Sequence, residues 1–176
     1  IAMYTDDNET YYPYASGDGQ KVQWDDLISD YLTYTQKLEN PIALSTKAAE
    51  NDKLYECPSD SIAVNNGIRR SYAMNSGTNW AVVNADNLRG VGTLHDGSAR
   101  NNDFSNPSEV IMLGERFHKN NRRGGHSYAV LGNLATSYDT VGSIGAHGNS
   151  TKYTYSFVDG HVEYLHYLSA NLYQDR

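Results

Sequence analysis

The sequence predicts an α+β domain, with a small antiparallel sheet packed on one or two helices. Three observations predict it. Alternating aromatic or apolar runs flank Asp159-Gly160 in Tyr153-Thr-Tyr-Ser-Phe-Val-Asp-Gly-His-Val-Glu-Tyr-Leu165, which is the pattern of a β-hairpin. Trp24, Leu27, Ile28, Tyr31, Leu32 and Leu38 recur at three- and four-residue spacing, the pattern of a helix with one apolar face. The helical patterns come first and the short strand patterns follow, the order of an α+β chain.

Taken in order, Ile1 and Tyr4 stand at helical spacing, so residues 1–9 read as the end of a helix entered midway, with Asp6, Asp7 and Glu9 as its solvated exit. Pro13, Gly17 and Gly19 make 11–19 a loop. In the next helix Asp25 and Asp26 occupy the first turn, where the dipole favours negative charge. Asn40-Pro41 ends that helix, and Ser45 is placed to cap a short one over 46–51. Any strand through Lys53-Leu-Tyr-Glu56 stops at Pro58, which cannot donate to a ladder, and Ser59 and Asp60 favour a turn. Arg70-Ser-Tyr-Ala-Met-Asn75 reads as a short strand. Residues 76–108, rich in Asn, Gly, Asp and Ser, read as long loops with one short element near Trp80. The apolar run Glu109-Val-Ile-Met-Leu-Gly114 reads as a buried strand. Arg116, Lys119, Arg122 and Arg123 make 116–127 a basic loop, 128–150 is irregular, and 169–176 is a polar tail. In the hairpin, a two-residue type I′ turn at Asp159-Gly160 needs φ > 0 at both positions. It pairs Phe157 with Val162, Tyr155 with Tyr164 and Tyr153 with His166 on one apolar face.

The chain has 176 residues, which suits a single domain with one real core. Hydrophobic residues are only 39%, but 15 tyrosines against three phenylalanines add amphipathic bulk. The net charge of −7 argues against nucleic acid and against an anionic membrane surface as partners. The single cysteine, Cys57, excludes an internal disulfide and a cysteine-built zinc site, and reads as a small packed hydrophobe. The 176 residues contain no transmembrane run and no signal peptide.

His147, Asp159 and His161 carry ligand types for zinc or a similar ion, but no His-x-x-x-His helix or second carboxylate cluster accompanies them. The stretch from His95 to Asp103 has carboxylates and amides at short intervals without the distal Glu of a calcium loop. His118, Lys119, Arg122, Arg123 and His126 read as charge balancing an acidic domain before an anion site. Gly-x-Ser-x-Gly and phosphate-binding loops are absent, and nothing assembles a nucleophile, a base and an orienting group. The residues point to no catalysis and to no confident metal site.

Several stretches resemble one family. Ala2-Met-Tyr-Thr-Asp-Asp-Asn-Glu-Thr-Tyr-Tyr-Pro13 resembles the helix exit of type II secretion pseudopilins, and Trp24-Asp-Asp-Leu-Ile-Ser-Asp-Tyr-Leu32 resembles the next helix of a large bacterial branch of them. Cys57-Pro58-Ser59-Asp60 followed by Ser71-Tyr72-Ala73-Met74-Asn75 is the most specific pair. Pro107-Ser-Glu-Val-Ile-Met-Leu-Gly-Glu115 resembles that branch's following strand. His147 and Phe157-Val-Asp159-Gly160-His161-Val162 resemble its signature, although eleven residues separate His147 from Asp159 here. The branch is that of prepilin-type, processing-associated His-x9-Asp-Gly proteins.

The resemblance implies a type IV pilin-like, or pseudopilin, fold: an N-terminal helix packed on a small antiparallel sheet with long loops. It implies a non-catalytic filament subunit with a periplasmic or cell-surface head. An N-terminal helix upstream of Ile1, of about one membrane span, would anchor the precursor in the inner membrane. Partners would be other pseudopilin or pilin subunits and the secretion machinery. No cofactor is implied beyond the structural calcium that major pseudopilins hold in a C-terminal loop, whose ligands do not map residue by residue onto this chain. The motif residues carry structural roles in this reading, with Asp159 setting the hairpin turn and His147 making a hydrogen bond. Two rivals remain: a glycan- or polymer-binding module using Trp80 and loop tyrosines, and a metal-dependent hydrolase using His147, Asp159 and His161.

Overall fold

The computed structural model describes residues 1–15, 22–32, 50–64, 67–76, 90–92, 98–123, 130–131, 147 and 151–166. Expectations for Leu38, Asn40-Pro41, Ser45, Trp80, His95, His126 and the polar tail lie outside them. Among the described residues, three helical segments come first: α1 (Ala2–Asp7), α2 (Trp24–Leu27) and α3 (Ser29–Leu32). Five strands follow: β1 (Tyr72–Asn75), β2 (Ile111–Glu115), β3 (Val130–Leu131), β4 (Lys152–Phe157) and β5 (Val162–His166). They form one sheet in the order β3-β1-β2-β4-β5. The contacts β1–β2, β2–β4 and β4–β5 are antiparallel, and β3 joins β1 in parallel. Among the described residues, no helix is long and apolar enough to cross a membrane.

The sheet is buried on both sides near β1, because Ala73 and Met74 point to opposite faces and both are fully covered. One face carries Cys57, Ala73, Ile111, Phe117, Tyr153, Tyr155 and Phe157. The other carries Met74 under Tyr4, Trp24, Ile28 and Tyr55, so α1 and α2 both lie on this face. Tyr4 also meets Tyr31 edge to face at 5.7 Å. A third cluster, around Tyr12, Val91, Phe104 and Val110, shares Ile1 with the second. The register of β2 against β4 shifts between Ile111 and Leu113. That irregularity sends Ile111 to the first cluster and Leu113 to the second, although their spacing of two would otherwise put both on one face. Gly92 runs so close to β1 that a Cβ there would stand 2.6 Å from the Met74 sulfur and 2.7 Å from the Ala15 nitrogen.

Three expectations are corrected. The helix of 24–32 is two short segments, because Ile28 at φ −90°, ψ −5° interrupts the helical ladder. Glu50–Tyr55 is a 3₁₀ helix rather than an extended approach to Cys57. The hairpin has a three-residue loop, Val158-Asp159-Gly160, rather than a two-residue one. The Phe157 N–H donates to the His161 carbonyl (2.9 Å), and the Gly160 N–H donates to the Phe157 carbonyl (3.0 Å). Of Asp159 and Gly160, only Gly160 has positive φ, at +94°. This is a β-turn closed by one left-handed glycine. The extra loop residue slips the register by one, and a slip of one exchanges the faces of β5. Ser156 pairs with Val162, Thr154 with Tyr164, and Lys152 with His166. Val162 and Tyr164 are therefore exposed, while His161, Glu163 and Leu165 share the face of Tyr153, Tyr155 and Phe157.

Candidate functional site

Cys57, Pro58, Ser59, Asp60, Tyr72, Glu115 and His147 gather at the end of the sheet where β1 begins and β2 ends, whereas Asn75 lies at the far end of β1 and Asp159, Gly160 and His161 lie at the hairpin turn. Cys57 follows the 3₁₀ helix and sends its side chain into the first core cluster. Pro58 and Ser59 form the exposed tip of a turn closed by the Asp60 N–H on the Cys57 carbonyl (2.9 Å). The buried Asp60 carboxylate accepts from the Ser71 hydroxyl (2.7 Å) and the Ile62 N–H (3.0 Å). The Ser71 N–H donates to the Tyr55 carbonyl (2.8 Å). The Cys-Pro-Ser-Asp turn is thus fastened to the entry of β1. Further along that strand, the fully buried Asn75 amide donates to the Ile111 carbonyl (2.8 Å) and ties β1 to β2.

Glu115 ends β2 opposite Tyr72 of β1. It is 2% exposed, and its Oε2 accepts the Thr154 N–H at 2.7 Å. Its Oε1 lies 3.0 Å from His147 Nε2, and the same Nε2 lies 3.8 Å from the Cys57 sulfur. His147 reaches Glu115 from a left-handed backbone at φ +62°, a conformation uncommon outside glycine. Tyr164 packs edge-on against the imidazole at 5.7 Å. Burial, and then the Glu115 carboxylate, pushes the Cys57 thiol up. Burial, followed by the charges of Cys57, Glu115 and Asp60, pushes Tyr72 up to about 12. A raised thiol is a poor nucleophile. Cys57 and Glu115 also meet the same imidazole nitrogen, so the histidine cannot take a proton at one nitrogen while being oriented at the other.

His147, Asp159 and His161 do not form one cluster. His147 meets Glu115 and Cys57, whereas Asp159 meets His161 at the hairpin turn. The Asp159 carboxylate accepts the His161 N–H at 3.1 Å and lies 2.6 Å from His161 Nδ1. These two contacts hold the exposed Asp159 below the usual carboxylate range. The His161 ring stacks on Phe157 at 4.1 Å. Asp159 and His161 therefore set the loop, and Gly160 supplies its left-handed residue.

A second polar cluster was not foreseen. Asp25 is fully buried, pairs with the fully buried Arg70, and has Arg123 at 3.6 Å from its other oxygen. Arg70 Nε donates to the Asn121 side-chain oxygen (2.8 Å), the Asn121 amide donates to the Arg116 carbonyl (2.7 Å), and Arg123 lies over the Tyr55 ring at 4.1 Å. Arg123 of the basic stretch thus balances acid in the interior and is not a solvated charge. Beside it, Asp26 accepts the Gln23 N–H (2.9 Å). Burial, and then the Asp25 carboxylate, pushes Asp26 up to about 7. The only sequence signal was an acidic pair beside a tryptophan. Its partners lie 45 and 98 residues away, beyond the reach of local spacing.

Two open clefts flank α1. One of about 690 Å³ lies between Ile1, Ala2 and Thr5 and the loop residues Asp159 and Gly160. The other, of about 390 Å³, is lined by Tyr4, Tyr11, Tyr12 and Tyr14 with Asp7 and Glu9. Comparison with known proteins finds no matching family model, no matching curated protein and no matching solved structure.

Proposed function

We propose that this chain is the head of a pseudopilin-like filament subunit, with structural motif residues and no catalytic role. The observation that carries the reading is what the motif residues do. Cys57, Asp60, Ser71, Asn75, Glu115 and His147 come from four separate stretches and spend their polar atoms on one another and on the backbone of the sheet. Residues kept for folding behave this way, whereas a catalytic constellation leaves a reactive atom open to substrate. The packing of Ile1 and Tyr4 on the Met74 and Leu113 face supports the same reading. A longer helix entering from upstream of Ile1 would lie against this face and form the filament core by helix-to-helix contact. The head would then stand on the periplasmic or outer side of the inner membrane, and its variable loops would choose subunit and machinery partners.

The test is assembly. The full-length reading frame is expressed with a prepilin peptidase and the other subunits of a secretion filament. The expected result is processed protein in the membrane fraction and in filaments seen by electron microscopy. A full-length product that stays soluble and unprocessed overturns the proposal.

One observation favours a second reading, a glycan- or polymer-binding module. The smaller cleft presents four tyrosines beside Asp7 and Glu9, an aromatic and polar mixture that suits sugar faces and hydroxyls. Trp80, the other candidate platform, lies outside the described residues. A glycan array decides between the two readings: binding lost in Tyr11→Ala supports the module, and an array without hits removes it.

A further inference from the structure

One group of ionisable side chains draws three unlike ligand atoms to a single point. Among the described residues, the Cys57 sulfur, a Glu115 carboxylate oxygen and a His147 ring nitrogen all lie within 4.8 Å of one another. We propose that Cys57, Glu115 and His147 form a binding site for a divalent transition metal, with zinc the best fit; the lone cysteine rules out a site built of several thiolates, and here it is one ligand of a mixed set. The site uses three of the residues on which the filament reading rests, but metal binding requires no filament, so a chain that assembles without binding metal, or binds metal without assembling, separates the two.

The distances suit the ion. With zinc bonded to sulfur at about 2.3 Å and to nitrogen or oxygen at about 2.0–2.1 Å, tetrahedral geometry puts S and N about 3.6 Å apart and N and O about 3.3 Å apart. The observed separations are 3.8 Å and 3.0 Å. Small side-chain shifts close these two differences, and the third separation, sulfur to carboxylate oxygen within 4.8 Å, must close to about 3.6 Å. The shared use of His147 Nε2 by both other groups, awkward for a proton relay, is the natural arrangement around a central cation. The Thr154 N–H holds the second oxygen of Glu115 and so fixes the carboxylate from behind, as outer-shell donors do in metal sites. Thiolate, imidazole and carboxylate together select zinc or its neighbours, and not calcium, which takes oxygen ligands only. A bound cation would displace the thiol proton, a step opposed by burial and by the Glu115 carboxylate and favoured by the metal charge. Water would supply the fourth ligand. The site would clamp His147 onto the end of β2 and onto the Cys57 turn.

The experiment uses the chain stripped of metal by chelator and then dialysed. Titration with cobalt(II) should saturate at one ion per chain and give a thiolate-to-cobalt charge-transfer absorption in the near ultraviolet. Zinc should displace the cobalt and raise the melting temperature. Cys57→Ser should lose the charge-transfer band, and His147→Ala should weaken zinc by more than the about 100-fold that outer-shell changes cost. Circular dichroism establishes that each variant is folded, and if one is not, the wild-type cobalt spectrum decides alone. A wild-type chain that takes up no cobalt, or takes it up without the thiolate band, overturns the site. So does a folded His147→Ala chain that binds zinc as tightly as wild type; the three side chains are then a hydrogen-bonded cluster only.

Discussion

At the scale of single residues, Asp26 makes the folded chain sensitive to pH. Its carboxyl titrates at about 7 in the fold, against 3.8 as its ordinary value, because burial and the Asp25 charge disfavour ionisation. A group with a raised folded pKa contributes stability that is complete below its unfolded pKa and is lost as pH rises through the folded one. Stability should therefore fall between about pH 4 and about pH 7. Asp159 has a depressed pKa, so its contribution is lost only below that window. Melting temperatures of wild type and Asp26→Asn across the window check this. The wild type should lose stability relative to the variant as pH rises, and parallel curves would refute the assignment. Two glycines answer to different forces. Gly160 has φ +94° and open space around its Cβ position. Gly160→Val should thus cost about 1–3 kcal/mol from backbone strain alone. Gly92 lacks space instead: a Cβ there meets backbone atoms of Pro13 and Ala15 as well as Met74. Gly92→Ala should destabilise by about 1–3 kcal/mol through overpacking. Urea unfolding measures both.

At the scale of elements, the hairpin shows how far local pattern reaches. The alternation of Tyr153, Tyr155 and Phe157 named the buried face of β4, and all three are buried. The same alternation could not set β5, because both faces of Val162–His166 carry aromatic or apolar residues and the turn chooses between them. Asp-Gly is compatible with a two-residue loop and with a three-residue loop ending in a left-handed glycine. The Asp159–His161 contacts and the stacking of His161 on Phe157 accompany the second. The observed register makes a prediction that the expected one contradicts. Val162→Thr should change stability by less than about 0.5 kcal/mol, as at a surface position. Tyr155→Ala should cost several-fold more, about 3 kcal/mol, as for a large aromatic side chain removed from a core. A large loss from Val162→Thr would restore the two-residue turn. The helix of 24–32 shows the converse limit. Apolar spacing located its buried side at Trp24 and Ile28, but not the interruption at Ile28.

At the scale of the whole molecule, long-range polar contacts were the part least legible in the sequence. Strand positions for β1 and β2 could be read from short apolar runs, whereas the Asp25, Arg70 and Arg123 cluster joins three segments distant in sequence. The Cys57, Glu115 and His147 cluster likewise joins residues 32 and 90 positions apart. Cys57 read as a packed hydrophobe because nothing next to it in sequence alters its thiol. Removing one member of a buried ion pair strands the other, so Arg70→Met should destabilise the fold by about 3–5 kcal/mol. Asp25→Asn combined with Arg70→Met should recover part of that loss, as chemical denaturation of the double variant would show. Two of the three clusters around the sheet share Ile1, the residue that opens α1. A helix docked this way is what the filament-subunit proposal needs from the head. The most direct test of that proposal is the N-terminal sequence of the native protein recovered from the membranes of the producing cell. The account predicts a mature chain beginning Phe-Thr-Leu-Ile-Glu or similar and running through about 20 apolar residues into Ile1. A native polypeptide that starts within a few residues of Ile1 would contradict it.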